Sequence, residues 1–173
     1  MKSLPLILVV FFMVSCGAVV TVDYDEQIDY SKYQSYNFYP TIDSGLSELD
    51  NARIMRITDT LLGQRGYIKS DSPQLYINFY AHERITNARN TIGIGVGSGG
   101  GNVGVGVSGG IPIGGKVVDQ QLTVDFIDVV KDELVWQAVA EGEMKERATP
   151  EQKEAYYFSV IQKILKKYPP EKK

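Results

Sequence analysis

From Val117 to Val130 apolar and polar side chains alternate, and they do so again from Leu134 to Glu141 after the short polar break Lys131-Asp132. Successive residues of a strand point to opposite faces, so Leu122, Val124 and Phe126 share one side while Thr123, Asp125 and Ile127 share the other. The returning run places Trp136, Ala138 and Ala140 on one side. Two such runs separated by a few polar residues predict a β-hairpin, and its apolar face needs a covering layer. Trp136 is read as the core anchor of that face, the alternative being a half-exposed indole that stacks on a ligand.

Two amphipathic helices are available as the cover. Ser47 opens the first, in a Ser-x-x-Asp pattern with Asp50 that resembles a capping box. Ile54, Ile57 and Leu61 then recur at helical spacing, with Met55 and Leu62 beside them, and Gly63 or Gly66 supplies the left-handed stop. The second begins at Thr149 as N-cap, with Pro150 at the first helical position, Glu151 in the first turn and Gln152 completing a capping box. Tyr157, Ile161, Ile164 and Tyr168 trace its buried side, Val160 and Leu165 widen it, and Pro169-Pro170 ends it. Further strands are expected over Ala18–Asp25, Tyr33–Tyr39, Tyr67–Ile68 and Leu75–His82, with a turn at Asp29-Tyr30-Ser31-Lys32 and a loop from Thr41 to Ser47. The fold class is therefore α+β, a mainly antiparallel sheet with two amphipathic helices packed on one face.

Glycine falls on every second position across Ile92–Gly97 and again across Val103–Val107, with Ser98-Gly-Gly-Gly-Asn102 between the two runs. This pattern predicts a glycine-rich β-hairpin over 92–115 whose one face is bare. Two motifs embedded in it fail their structural context. Gly95, Gly97 and Gly100 match G-x-G-x-x-G, but no helical pattern comes after them, so dinucleotide binding is not expected. Gly110, Gly115 and Lys116 approach a phosphate-cradling loop, yet Val117 stands where Ser or Thr would hold magnesium, and the residues after it are strand-like.

Cys16 is the only cysteine of the 173 residues. It closes Met13-Val14-Ser15-Cys16 after the apolar run Leu4–Val14 and the basic start Met1-Lys2, the layout of a secretory signal. The apolar run is too short for a span of roughly 20 residues. A cysteine just past the cut looks like a bacterial lipobox, which makes 1–15 a lipoprotein signal peptide, Cys16 the lipidation site and 16–173 a single domain. The alternatives are a chance cysteine in a plain signal or a buried thiol. Removing 1–15 takes away one cation, Lys2, and shifts the formal charge from −3 to −4. Mild acidity excludes the basic face that nucleic-acid binding requires. Lys163, Lys166, Lys167, Lys172 and Lys173 form the one basic excess, at the negative end of the second helix dipole.

Chemistry-bearing residues are sparse. His82, the only histidine, is placed on the polar side of its strand beside Glu83 and Arg84, and His82-Glu83 lacks the second histidine of a zinc helix. Asp119, Asp125 and Asp128 include two positions of opposite parity, so they do not converge on a cation. Asp23 and Asp25 share a parity; they are read either as solvating an edge strand or as the carboxylate pair of a hydrolase. No catalytic residue, cofactor or metal site is expected. Tyr24, Tyr30, Tyr33, Tyr36 and Tyr39 cluster near the tether and would suit a contact surface, though sheet packing explains most of them equally well.

The order of segments Val20-Thr-Val-Asp-Tyr-Asp25, Tyr33-Gln-Ser-Tyr-Asn-Phe38, Arg65-Gly66-Tyr67, Pro73–Phe79, Leu122–Asp128 with Leu134-Val-Trp136, and Ile164–Pro169 resembles the bacterial lipoproteins of the domain of unknown function 4136 family. The resemblance implies an envelope lipoprotein of one α+β domain and carries over no reaction or ligand residues. Together the readings predict a non-enzymatic binding or structural module on the outer membrane, facing the periplasm. Its expected partners are the membrane, through the lipid, and another envelope protein or glycan. The alternative is a small hydrolase or ligand-binding domain acting on cell-wall fragments or lipids.

Overall fold

The computed structural model describes residues 18–87, 91–92, 111–112 and 115–171. In chain order these form β1 (Val19–Tyr24), a 3-10 turn (Tyr30–Lys32), β2 (Ser35–Phe38), α1 (Glu48–Gly63), β3 (Ile68–Lys69) and β4 (Leu75–Asn87). There follow β5 (Thr91–Ile92), β6 (Ile111–Pro112), β7 (Lys116–Asp128), β8 (Glu133–Lys145) and α2 (Pro150–Lys166). Cys16 lies outside the described residues. So does most of the expected hairpin over 92–115, whose described parts, β5 and β6, pair antiparallel in a separate two-stranded sheet.

The main sheet has six strands in the order β1-β8-β7-β4-β2-β3. It is mixed, which corrects the expectation of a mainly antiparallel sheet. β1, β8, β7 and β4 are antiparallel neighbours, but β2 runs parallel to both β4 and β3, with Tyr36 opposite Leu75 and Ser35 opposite Ile68. The reason is α1. A parallel pair needs a crossover of a dozen or more residues, and the helix between β2 and β3 supplies it. β1 and β3 are the edge strands.

Both helix starts obey the capping logic of their sequences. Thr149 Oγ1 accepts from the Gln152 N–H at 3.3 Å, and Gln152 Oε1 accepts from the Thr149 N–H at 3.1 Å, so both arms of the box form. Ser47 accepts from the Asp50 N–H at 3.2 Å and donates its hydroxyl to the Asp50 carboxylate at 2.9 Å. That carboxylate binds Arg53 at 2.7 Å and Lys153 of α2 at 2.8 Å, joining the two helices. Burial alone would raise the Asp50 pKa; Lys153, Ser47 and Arg53 outweigh it and lower it. α1 ends at Gly63, and the left-handed residue is Gly66 with φ +85°. Arg65 then donates to the carbonyls of Leu165 and Tyr168, satisfying the end of α2.

The core lies between the helices and the sheet face carrying Phe38, Phe79, Leu122, Phe126 and Trp136. Trp136 is fully buried, so it is a core anchor and not a stacking platform. Its ring centroid is 5.0 Å from Phe126 and 5.2 Å from Tyr168. Beside it the β7–β8 ladder slips by one residue between Phe126 and Ile127, leaving Val135 as a bulge. The Val135 carbonyl accepts from the Asp25 N–H at 3.1 Å and from the Tyr30 hydroxyl, which ties the 3-10 turn to the sheet.

Candidate functional site

Among the described residues both helices pack on the core face, and neither covers the opposite face of the sheet. Pairing fixes what it presents. One row crosses four strands as Asn78, Asp125, Gln137 and Asp23; the next as Tyr80, Thr123, Val139 and Thr21; a third as His82, Gln121, Glu141 and Val19. Tyr39 and Tyr76 meet edge to face with centroids 5.6 Å apart, and Tyr80 meets His82 at 5.9 Å. These rings border a polar trough. Thr123 and Asp125 sit at its floor on a central strand, only 3% and 9% exposed although no helix covers them. Burial raises the pKa of Asp125, offset in part by hydrogen bonds from Gln137, at 2.8 Å, and Asn78. Such a surface offers hydrogen bonds and aromatic edges over a broad area, which suits binding a partner more than enclosing a reacting molecule.

The residues singled out from sequence are dispersed by the fold. His82 is exposed on this face, while Glu83 points to the other side and accepts from Gln120 at 2.7 Å. Asp119 and Asp125 share a face but stand six positions apart on β7, and Asp128 points away from both. Among the described residues no three His, Cys, Asp or Glu side chains gather as a metal site. Asp23 accepts from the Tyr24 N–H at 2.9 Å and Asp25 from the Gln27 N–H at 2.8 Å, so each carboxylate serves its own local backbone. Tyr30, Tyr33 and Tyr36 are core residues, and Tyr24 is half-buried beside Tyr30. Of that group of tyrosines, only Tyr39 reaches the uncovered face. Tyr76 and Tyr80, not counted as contact residues from sequence, are the other aromatics there. Their signal was the alternation Tyr76, Asn78, Tyr80, His82 opposite the buried Leu75, Ile77, Phe79 and Ala81. Lys116 opens a strand, so no helix N-terminus stands behind it to hold a phosphate. Lys163 donates to the Ala18 carbonyl at 3.1 Å, and Lys166 and Lys167 are exposed at the end of α2.

Asp128 has a structural role. It accepts from the Tyr33 hydroxyl at 2.6 Å, Lys32 at 3.2 Å, and the Val130 and Lys131 N–H groups at 2.9 and 3.1 Å. Burial alone would raise its pKa; these four donors, Tyr33 foremost, hold it at about 2 against an ordinary 3.8. A depressed carboxylate stabilises the fold above the unfolded pKa, and the stabilisation fades as pH falls from about 4 toward 2. The expected contribution is on the order of 2 kcal/mol. Urea titrations of Asp128→Asn should therefore show lower stability at neutral pH and a flatter slope between pH 4 and 2 than the parent; parallel slopes would refute the assignment.

No helix among the described residues is long and apolar enough to cross a membrane. Residues 20–170 match the family described as Domain of unknown function (DUF4136). No curated protein matches the chain in sequence. Among solved structures it is similar to a PDZ domain protein from Parabacteroides distasonis, with a TM-score of 0.53 and 17% identity over 91% of this chain. It spans 36% of that protein's chain, so the likeness is one of fold over a part. It is also similar to PelC from Paraburkholderia phytofirmans, solved as a dodecamer, with 16% identity, a TM-score of 0.44, and 86% of this chain and 94% of that chain covered.

Proposed function

The chain belongs to the DUF4136 family, and from that premise we propose that it is a non-enzymatic binding module of the bacterial envelope, held at the periplasmic side of the outer membrane by acyl chains on Cys16. The uncovered sheet face engages another envelope component, protein or glycan. The observation that carries this reading is the broad trough of Asn78, Thr123, Asp125 and Gln137 bordered by Tyr39, Tyr76 and Tyr80. A hydrolase acting on wall fragments or lipids would want His82 in a cleft with a carboxylate to orient it. Here His82 stands on an open surface, and the aspartates are separated or bound to backbone.

Photo-crosslinking residues placed at Tyr76 or Tyr80 in living cells should yield a discrete adduct. The same probe at Phe158, on the helix side, should yield none. Adducts at Phe158 alone, or turnover of a wall or lipid substrate by the purified protein, would overturn the reading.

A further inference from the structure

The uncovered face is not uniform along its strands. At the end nearest the β7–β8 turn, Tyr76, Ile127 and Leu134 stand opposite one another across three strands, and Tyr39 meets Tyr76 edge to face. This row is apolar and open: Leu134 is 53% exposed and Val130, in the turn, 94%. The next row carries Asp125 and Asp23, and Glu141 comes two rows later. From the row of Tyr76 to the row of His82 the face thus holds three carboxylates and no lysine or arginine. The cations nearby are already matched. Lys131 in the turn lies 3.9 Å from Glu133, and Arg84, one row beyond His82, lies 3.5 Å from Asp119. Rows lie about 7 Å apart along a strand and neighbouring strands about 4.8 Å apart, so Leu134 on β8 and Asp23 on β1 are separated by on the order of 10 Å.

We propose that the occupant of this face is a basic protein segment, which seats an apolar side chain on Tyr76, Ile127 and Leu134 and extends lysine or arginine to Asp23 and Glu141; this rests on the reading of the uncovered face as the binding surface. A glycan suits the apolar end poorly. A hydroxyl set over Ile127 and Leu134 gives up its bonds to water and finds no partner there. An apolar protein side chain gains from the same loss of water, with the rings of Tyr39 and Tyr76 as large surfaces beside it. The carboxylates act as charges do at the rim of an interface: they set the register of a basic partner and repel an acidic one.

The test extends the crosslinking to variants of the full-length protein in living cells, with the probe at Tyr80. Leu134→Asp should lower the adduct roughly tenfold by removing the apolar seat, and Asp23→Lys or Glu141→Lys should each lower it several-fold. All three positions are exposed, so denaturation midpoints should stay with that of the parent. Mass spectrometry of the adduct should find a captured peptide with lysine or arginine close to an apolar residue. An adduct indifferent to all three variants, or a captured peptide that is acidic, would overturn the proposal. An adduct carrying sugar in place of a peptide would overturn it too, while leaving the face as a binding surface. Absence of any adduct from Tyr76 and Tyr80 would remove the binding surface itself, and this inference with it.

Discussion

Trp136→Ala is expected to cost about 3–5 kcal/mol, a large share of the 5–15 kcal/mol that holds a domain of this kind together. The indole is fully buried between Phe126 and Tyr168. Its ring nitrogen has no hydrogen-bond partner among the described residues, so the loss is one of packing and cavity formation. The site cannot collapse easily, because β8 is fixed by the Val135 bulge on one side and by Ala138 and Ala140 against β7 on the other. Chemical denaturation should show a midpoint displaced far below that of the parent. Phe158→Ala is the control: that ring is 42% exposed, and its removal should move the midpoint little. A small effect at Trp136 would mean that the aromatic cluster is not the centre of the fold.

Cys16→Ala is expected to abolish the mature form of the protein. Acylation precedes cleavage in the proposed processing, so the variant should accumulate as an uncut precursor without acyl mass, missing from the outer-membrane fraction. The effect is all or none because anchoring needs more than one chain, each methylene contributing ~0.8 kcal/mol, and all the chains depend on one residue. Mass spectrometry and fractionation check it; a parent protein carrying a free thiol and an intact Met1 would refute it.

Long periodic elements were legible in the sequence. The alternation around Phe126 and Trp136 gave β7 and β8, the Thr149-Pro150-Glu151-Gln152 start gave α2, and Ser47 gave α1. The parallel placement of β2 was not legible. Strand direction in a sheet depends on which neighbour a segment meets after a crossover, and the four residues Ser35–Phe38 contain nothing that names Leu75–Ile77 as that neighbour. The uncovered face was half legible. Strand parity sets Tyr76 and Tyr80 opposite Leu75, Ile77 and Phe79, but parity does not say which tyrosines of the other segments join them. Tyr30, Tyr33 and Tyr36 have the same composition signal as Tyr76 and Tyr80, and only the third dimension puts the first three inside. Asp50 shows the same limit: it occupies the position of a capping-box acid and spends its charge on Arg53 and on Lys153 in another helix.

Among the described residues no strand pairs with the outer edge of β1. Its backbone donors and acceptors on that side form an open template next to Val19, Val20 and Val22, of which Val19 is 67% exposed. A second chain could zip onto this rim and begin an aggregate. Asp23 and Asp25, at the end of the strand, put charge where such a growing stack would need to close. Remaining free of aggregates thus depends on keeping one six-residue rim from meeting its like.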